Sequence, residues 1–297
     1  MFAFGRDLAS PESMRIRTVL CPVDFSSLDE RELEIALEVC RTFAAKLVLH
    51  HDITGVPGFS HVRESAKARH AETPDDAKVR LRALLDRIGR GVPAEAIVTS
   101  GSLVESVLTL AEQLPADLMV LGSHGWSTKH HASVTAGVIA RARCPVLTFQ
   151  ESAVAPEFRL RAGPGDRARR AIVPTDLTPA SAAAVGYACA LARHLGIHVE
   201  LLHVLPDDAS GGAVARAQRV MDGFVPPDLI EKVTARVRRG EPAAAITSYV
   251  EIVEPAFVIL GEHARGFIRH LLTPDTTQAV ARRIRCPAWV VPASAGM

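Results

Sequence analysis

The stretch Asp117 to Phe149, DLMVLGSHGWSTKHHASVTAGVIARARCPVLTF, decides the fold. Leu118, Met119, Val120 and Leu121 form an apolar run of the length expected for one strand buried on both faces. Gly122, Ser123, His124 and Gly125 follow as a tight turn, and its two glycines let a ligand approach the backbone closely. A polar loop from Trp126 to His131 leads to Ser133, an N-cap candidate for a helix running to about Ala142. Cys144, Pro145 and a short strand, Val146 to Phe149, close the unit. A strand, a glycine turn, a loop and a helix N-terminus are together the physical parts for holding an anion.

Working outward, the same unit recurs. Ala256 to Val291, AFVILGEHARGFIRHLLTPDTTQAVARRIRCPAWVV, follows the same order, with Gly261 lying 139 residues after Gly122. Upstream, VLCPVDFS around Asp24 matches AIVPTDLTP around Asp176, 152 residues on. The offset therefore falls by 13 residues between these points, which places a 13-residue insertion in the first copy, within Ile53 to Pro74. Between the two CP pairs, at Cys144 and Cys286, the offset is 142, so the last loop of the second copy is longer by three. The chain is a tandem duplication whose repeat is a whole domain. Residues 1–15 read as a disordered tail, 16–150 as domain 1, 151–170 as a linker rich in proline, glycine and mixed charge, and 171–297 as domain 2.

Within each copy, apolar runs of strand length alternate with stretches of helical periodicity. Domain 1 reads as strand Arg17–Asp24, a helix capped by Ser26 or Ser27 with apolar Leu33, Ala36, Leu37, Cys40 and Phe43, and strand Lys46–Asp52. Helix Asp75–Ile88, strand Ala94–Thr99 and helix Leu103–Leu114 then lead to the opening stretch. The pattern predicts two α/β domains, each a doubly wound, five-stranded parallel sheet with right-handed crossovers. With a flavodoxin-like strand order of 3-2-1-4-5, a ligand sits beyond the carboxyl ends of strands one and four. Asp24 and Gly122 face that crevice in domain 1, and Asp176 and Gly261 face its counterpart in domain 2.

Composition narrows the function. At 297 residues, 48% apolar and 23% charged, the chain reads as two ordinary globular domains. A net charge of +1 gives no electrostatic reason to expect nucleic acid or a membrane surface as partner. No apolar run approaches the roughly 18 residues of a membrane span. The N-terminus does not read as a signal peptide. Five cysteines without tight spacing point to free thiols in a reducing compartment, the cytoplasm by default. The sequence has no Walker-type phosphate loop, no nucleophile turn and no carboxylate cluster for a catalytic magnesium, so an enzyme is not the expected reading. Lys129, His130 and His131 do not have the spacing of metal ligands, and no metal is expected.

The ordered set of PVD and PTD in strand one, LHH (Leu49–His51) and LHV (Leu202–Val204) at the end of strand two, the GSHG turn and the CPV and CPA strands resembles the universal stress protein family, in a tandem form covering about Arg17 to Pro292. The resemblance implies flavodoxin-like, adenine nucleotide alpha hydrolase-like domains. In nucleotide-binding members the pattern G-x2-G-x9-G-S/T holds ATP phosphates, while residues after strands one and two hold the adenine and ribose. Carried over, these are Pro22, Val23, Asp24, His51, Leu121, Gly122, Gly125, Ser133 and Val134 in domain 1, with ATP and magnesium as ligand. In domain 2 they are Pro174, Thr175, Asp176, Val204, Leu260, Gly261 and Thr276.

Both copies depart from that pattern. Domain 1 has Thr135 and Ala136 where Gly-Ser is expected; aligned from Cys144 instead, Ala132 and Ser133 fall there with a loop three residues short. In domain 2 Ala264 replaces the second glycine, and Pro274 and Asp275 replace Gly-Ser. Asp275 and Glu262 would set negative charge against a phosphate, so domain 1 is the expected site and domain 2 a degenerate one. The plainer reading makes Asp24 and Asp176 turn formers and the glycines mere turn residues. Two functions then stand: a stress protein with an ATP switch in domain 1 and at most slow hydrolysis, or a stress protein without nucleotide acting as an interaction scaffold. The terminal strands of each sheet are further expected to pair the two domains as a pseudo-dimer, with a homodimer as the next level of assembly.

Overall fold

In the first unit, Ile16–Ser152, the apolar runs become strands β1 (Thr18–Pro22), β2 (Lys46–Asp52), β3 (Ala94–Thr99), β4 (Leu118–Ser123) and β5 (Val146–Gln150). Helices α1 (Asp29–Phe43), α2 (Pro74–Ile88), α3 (Leu103–Gln113) and α4 (His131–Ile139) alternate with them. The computed structural model describes residues 14–25, 29–53, 73–88, 91–123, 131–150, 158–161, 169–262 and 274–293. The candidate caps Ser26 and Ser27, and most of the span holding the insertion, lie outside these.

The sheet order is β3-β2-β1-β4-β5 with every pair parallel. Parallel strands need helical crossovers that cover both faces, which is why the inner strands are largely apolar. Val19, Leu20, Leu47, Leu49, Leu118, Met119 and Leu147 are fully buried there. Each such side chain contributes roughly 1.5–3 kcal/mol to holding the layers together.

The second unit, Ala153–Met297, repeats this plan with β6 (Arg170–Pro174), β7 (His198–Leu205), β8 (Val233–Arg239), β9 (Phe257–Glu262) and β10 (Ala288–Pro292). Its helices are α5 (Pro179–Leu195), α6 (Gly211–Asp222), α7 (Pro242–Val253) and α8 (Pro274–Arg283). The strand order, β8-β7-β6-β9-β10, is again parallel and again 3-2-1-4-5 in local numbering. Thr178 caps α5 by accepting from the Ser181 N–H, Pro179 opens it and Gly196, in the left-handed region at φ 71°, ends it. Upstream of β6, Leu160 is fully buried and the Arg161 guanidinium donates to the His194 carbonyl at 3.2 Å. The stretch read as linker therefore holds onto its domain at this point.

The two sheets share one register. Pro22 pairs with His50 in β1–β2 as Pro174 pairs with Leu202 in β6–β7, a constant offset of 152 residues. His50 pairs with Ile97 and Leu202 with Arg236, so the offset becomes 139 by the next strand. The excess residues of domain 1 thus lie between β2 and β3.

That register exposes a buried polar cluster peculiar to domain 1. The Asp52 carboxylate accepts from Thr99 Oγ1 at 2.8 Å and Ser106 Oγ at 2.7 Å. Thr99 has a single proton and gives it to Asp52, so it accepts from His50 Nε2 at 2.7 Å. His50 is therefore the Nε2–H tautomer, with a bare, fully buried Nδ1. The equivalent residues in domain 2 are Leu202, Val204, Arg238 and Ala245.

Burial disfavours the imidazolium and pushes the His50 pKa down to about 4, against the opposing pull of Asp52. An unfolded chain takes up this proton near its ordinary value of about 6.5, whereas the native state refuses it. Domain 1 stability should thus be full above about pH 6.5 and fall by roughly 2–4 kcal/mol on acidification to about pH 4. Substituting His50→Leu, the residue of the second copy, should flatten this loss in chemical denaturation followed across pH. An unchanged slope would place the acid sensitivity elsewhere.

Candidate functional site

The site is made where two neighbouring strands part. β1 and β4 pair only at Val19 with Leu118 and Leu20 with Met119, although β1 continues to Pro22 and β4 to Ser123. β6 and β9 do the same, pairing only at Ala171 with Phe257 and Ile172 with Val258. Beyond those pairs a crevice opens at the carboxyl ends of the strands, the ligand position of open α/β sheets.

Alternation along β4 decides which groups enter it. The Met119 N–H donates to the Pro145 carbonyl on the β5 side, so the N–H of Gly122, three residues on, turns toward β1. There it donates to Glu32 Oε1 of α1 at 2.9 Å. Glu32 is only 6% exposed, so a carboxylate is set against a backbone donor at the mouth of the crevice. A Cβ on Gly122 would lie 3.2 Å from Glu32 Oε2 and 3.4 Å from the Phe149 ring, so glycine is what lets the acid approach. From α4, Thr135 Oγ1 donates to the Gly122 carbonyl at 3.4 Å and ties the helix to the strand end.

On the β1 side, the Val23 N–H continues the ladder by donating to the His50 carbonyl at 2.8 Å. His51 Nδ1 lies 2.8 Å from the Val23 carbonyl. A carbonyl only accepts, so Nδ1 carries the proton. The Phe25 ring packs on His51 with centroids 4.4 Å apart, and the Arg80 guanidinium covers Phe25 at 3.8 Å. Phe25 holds φ 59°, a left-handed conformation also taken at the equivalent Leu177, φ 63°. Both copies therefore reverse the chain sharply after the strand-one aspartate, at a cost of about 1–2 kcal/mol for a residue with a Cβ. The crevice so gathers Pro22, Val23, Asp24, His51, Leu121 and Gly122 at one end of the sheet.

Two expectations need correction. Ser133 does not cap α4: the helix starts at His131, which puts Ser133 in its first turn. Val134 beside it is half-buried, whereas Gly125 and the loop through Lys129 and His130 lie outside the described residues. The second correction concerns register. Reading LHH against LHV matched His51 with Val204, but the registers of the two sheets make His203 the equivalent of His51 and Val204 the equivalent of Asp52. The contacts agree: His203 Nδ1 lies 2.7 Å from the Thr175 carbonyl, the counterpart of the His51–Val23 contact.

In domain 2, Pro174, Thr175, Asp176, His203 and Val204 line a cleft closed by Leu202, Pro242 and Ile246. Asp176 also builds its own turn: Oδ1 accepts from the Thr178 N–H at 3.0 Å and the Thr178 hydroxyl at 2.6 Å. Leu260 and Gly261 end β9, and Thr277, beside the buried Thr276, donates to the Gly261 carbonyl at 3.1 Å. Alternation turns the Gly261 N–H toward β6, but the residue equivalent to Glu32 is Ala184, a buried methyl. Pro274 and Asp275 open α8. Sequence reasoning missed Glu32, Asp52 and His203; the 152-residue offset between Asp24 and Asp176 lines up His203 with His51, whereas Glu32 and Asp52 correspond to Ala184 and Val204 and leave no such signal.

Burial pushes the thiols of Cys40, Cys144 and Cys286 up to about 12 and that of Cys189 to about 11, so none is a nucleophile at neutral pH. Among the described residues no group of three or more His, Cys, Asp or Glu could hold a metal ion, and no helix is long and apolar enough to cross a membrane.

Comparison with known proteins agrees with this architecture. A universal stress protein from Thermus aquaticus is 29% identical over 137 residues, 44% of this chain and 96% of the relative. The crystal structure of a universal stress protein from Archaeoglobus fulgidus superposes with a TM-score of 0.67 over 94% of this chain and 97% of its own, at 19% identity. The cytoplasmic domain of a prokaryotic cation chloride cotransporter has the same fold, with a TM-score of 0.56 over 94% of this chain and 96% of its own at 13% identity. The model of the universal stress protein family matches residues 15–150 and again 167–292. Matched twice over nearly its whole length, the chain belongs to the universal stress protein family.

Proposed function

We propose that this is a stress-response protein that binds an adenine nucleotide in the crevice of domain 1, as a switch rather than a substrate. The observation that carries this reading is the Gly122 N–H, aimed into the crevice and already bonded to an anionic oxygen at 2.9 Å. A donor that accommodates a carboxylate at the parting of two strands also suits a phosphate oxygen. In this reading Pro22, Val23, Asp24 and His51 hold the adenine and ribose. Leu121, Gly122, Gly125, Ser133 and Val134 face the phosphates, with magnesium accompanying the ligand.

Domain 2 serves as the degenerate partner. Its cleft offers Thr175, Asp176 and Val204 at the sugar end, with Leu260, Gly261 and Thr276 beyond, and Asp275 and the buried Glu262 repel phosphate. None of the five cysteines forms a disulfide, in keeping with a reducing compartment such as the cytoplasm.

One observation favours the rival reading of a scaffold without nucleotide. In domain 1, Glu32 and Asp52 put two buried carboxylates where domain 2 has Ala184 and Val204.

Calorimetric titration with ATP and magnesium separates the two. One weak site per chain is expected, with Asp24→Ala weakening it at least about tenfold, equivalent to about 1.4 kcal/mol. Gly122→Val should abolish it, circular dichroism confirming that each variant is folded. Two sites per chain would mean Asp275 does not exclude the ligand, and no heat at millimolar ATP would leave the scaffold.

A further inference from the structure

We propose that Glu32 is an internal competitor for the ligand's phosphate: its carboxylate holds the Gly122 N–H and must swing away before a nucleotide can bind. The inference rests on the nucleotide reading and adds to it the residue that sets the affinity. Three observations carry it. Glu32 Oε1 lies 2.9 Å from the Gly122 nitrogen, a charge-assisted hydrogen bond. The side chain is buried rather than trailing in solvent, so it is held in place. The second copy keeps the glycine, Gly261, and has Ala184 in place of the acid, so the sheet and helix of this fold form without it.

The chemistry is competition between two anions for one donor. A phosphate oxygen approaching Gly122 meets both an occupied N–H and a negative charge screened poorly by its buried surroundings. Binding therefore includes the cost of moving Glu32 into water, and only ligands with enough contacts elsewhere in the crevice can meet it. Domain 1 is on this account a low-affinity sensor that fills at high nucleotide concentration. Affinity is tuned by one side chain on α1 rather than by the glycine turn alone.

Removing the charge tests this. Glu32→Gln keeps the shape and an acceptor oxygen, and Glu32→Ala installs the residue of the second copy. Glu34→Gln makes the same change in net charge on the exposed face of α1, where Glu34 pairs with Arg31 at 2.7 Å. Each folded variant is titrated with MgATP and with inorganic tripolyphosphate, and its thermal midpoint is recorded. Glu32→Gln or Glu32→Ala should bind MgATP at least about tenfold more tightly than the parent, with Glu34→Gln unchanged. Tripolyphosphate should gain as well, since the gain arises at the phosphate end. If the Glu32 variants bind as the parent does and only lose thermal stability, the carboxylate is a structural cap and the proposal fails, although the nucleotide reading stands. If neither parent nor folded variants bind either probe, both fall together.

Discussion

Everything at this site follows from two strands that pair at their amino ends and separate at their carboxyl ends. The ladder between β1 and β4 has only two pairs, as has the ladder between β6 and β9. Twist then carries the strand ends apart, and backbone groups that would have bonded across the ladder turn into an open crevice. In domain 1 the Gly122 N–H is such a group, and an unmet donor in a half-buried place costs about 1–3 kcal/mol. The chain meets that demand with its own carboxylate, Glu32.

Seen this way, the two copies are one scaffold with different fillings. Both keep the left-handed residue after the strand-one aspartate, the histidine bonded back to the preceding loop, and the threonine tying the last helix to the glycine carbonyl. These shared features determine the shape of the crevice. What differs is its chemistry: Glu32 against Ala184, Asp52 against Val204, and His50 against Leu202. Domain 1 carries a buried polar network on His50 and Asp52, whereas domain 2 has Leu202 and Val204 in those places. A duplicated fold can diverge this way because the buried strands carry stability while strand ends carry specificity.

Much of this was legible in the sequence. Continuous apolar runs bounded by glycine and proline gave the strands within a residue or two, since a strand buried on both faces tolerates little else. The strand order followed from alternating elements and short connections. The crevice was legible too, because topology places it wherever strands one and four end. Individual contacts were harder to read. A glutamate next to Leu33 looks like the solvated side of α1, and only packing against β4 buries it. The pairing of His51 with Val204 failed because two similar tripeptides allow a slip of one residue, and in a strand one residue exchanges the faces. The offset of 152 residues already measured between Asp24 and Asp176 was the stronger signal.

The most direct test of the account is the backbone amide resonance of Gly122 during titration of the isotopically labelled protein with MgATP. The expected result is a saturable shift of that resonance, in step with those of Asp24 and His51, at one equivalent per chain. A ligand that binds while Gly122 stays unmoved would contradict the claim that nucleotide and Glu32 contend for the same hydrogen-bond donor.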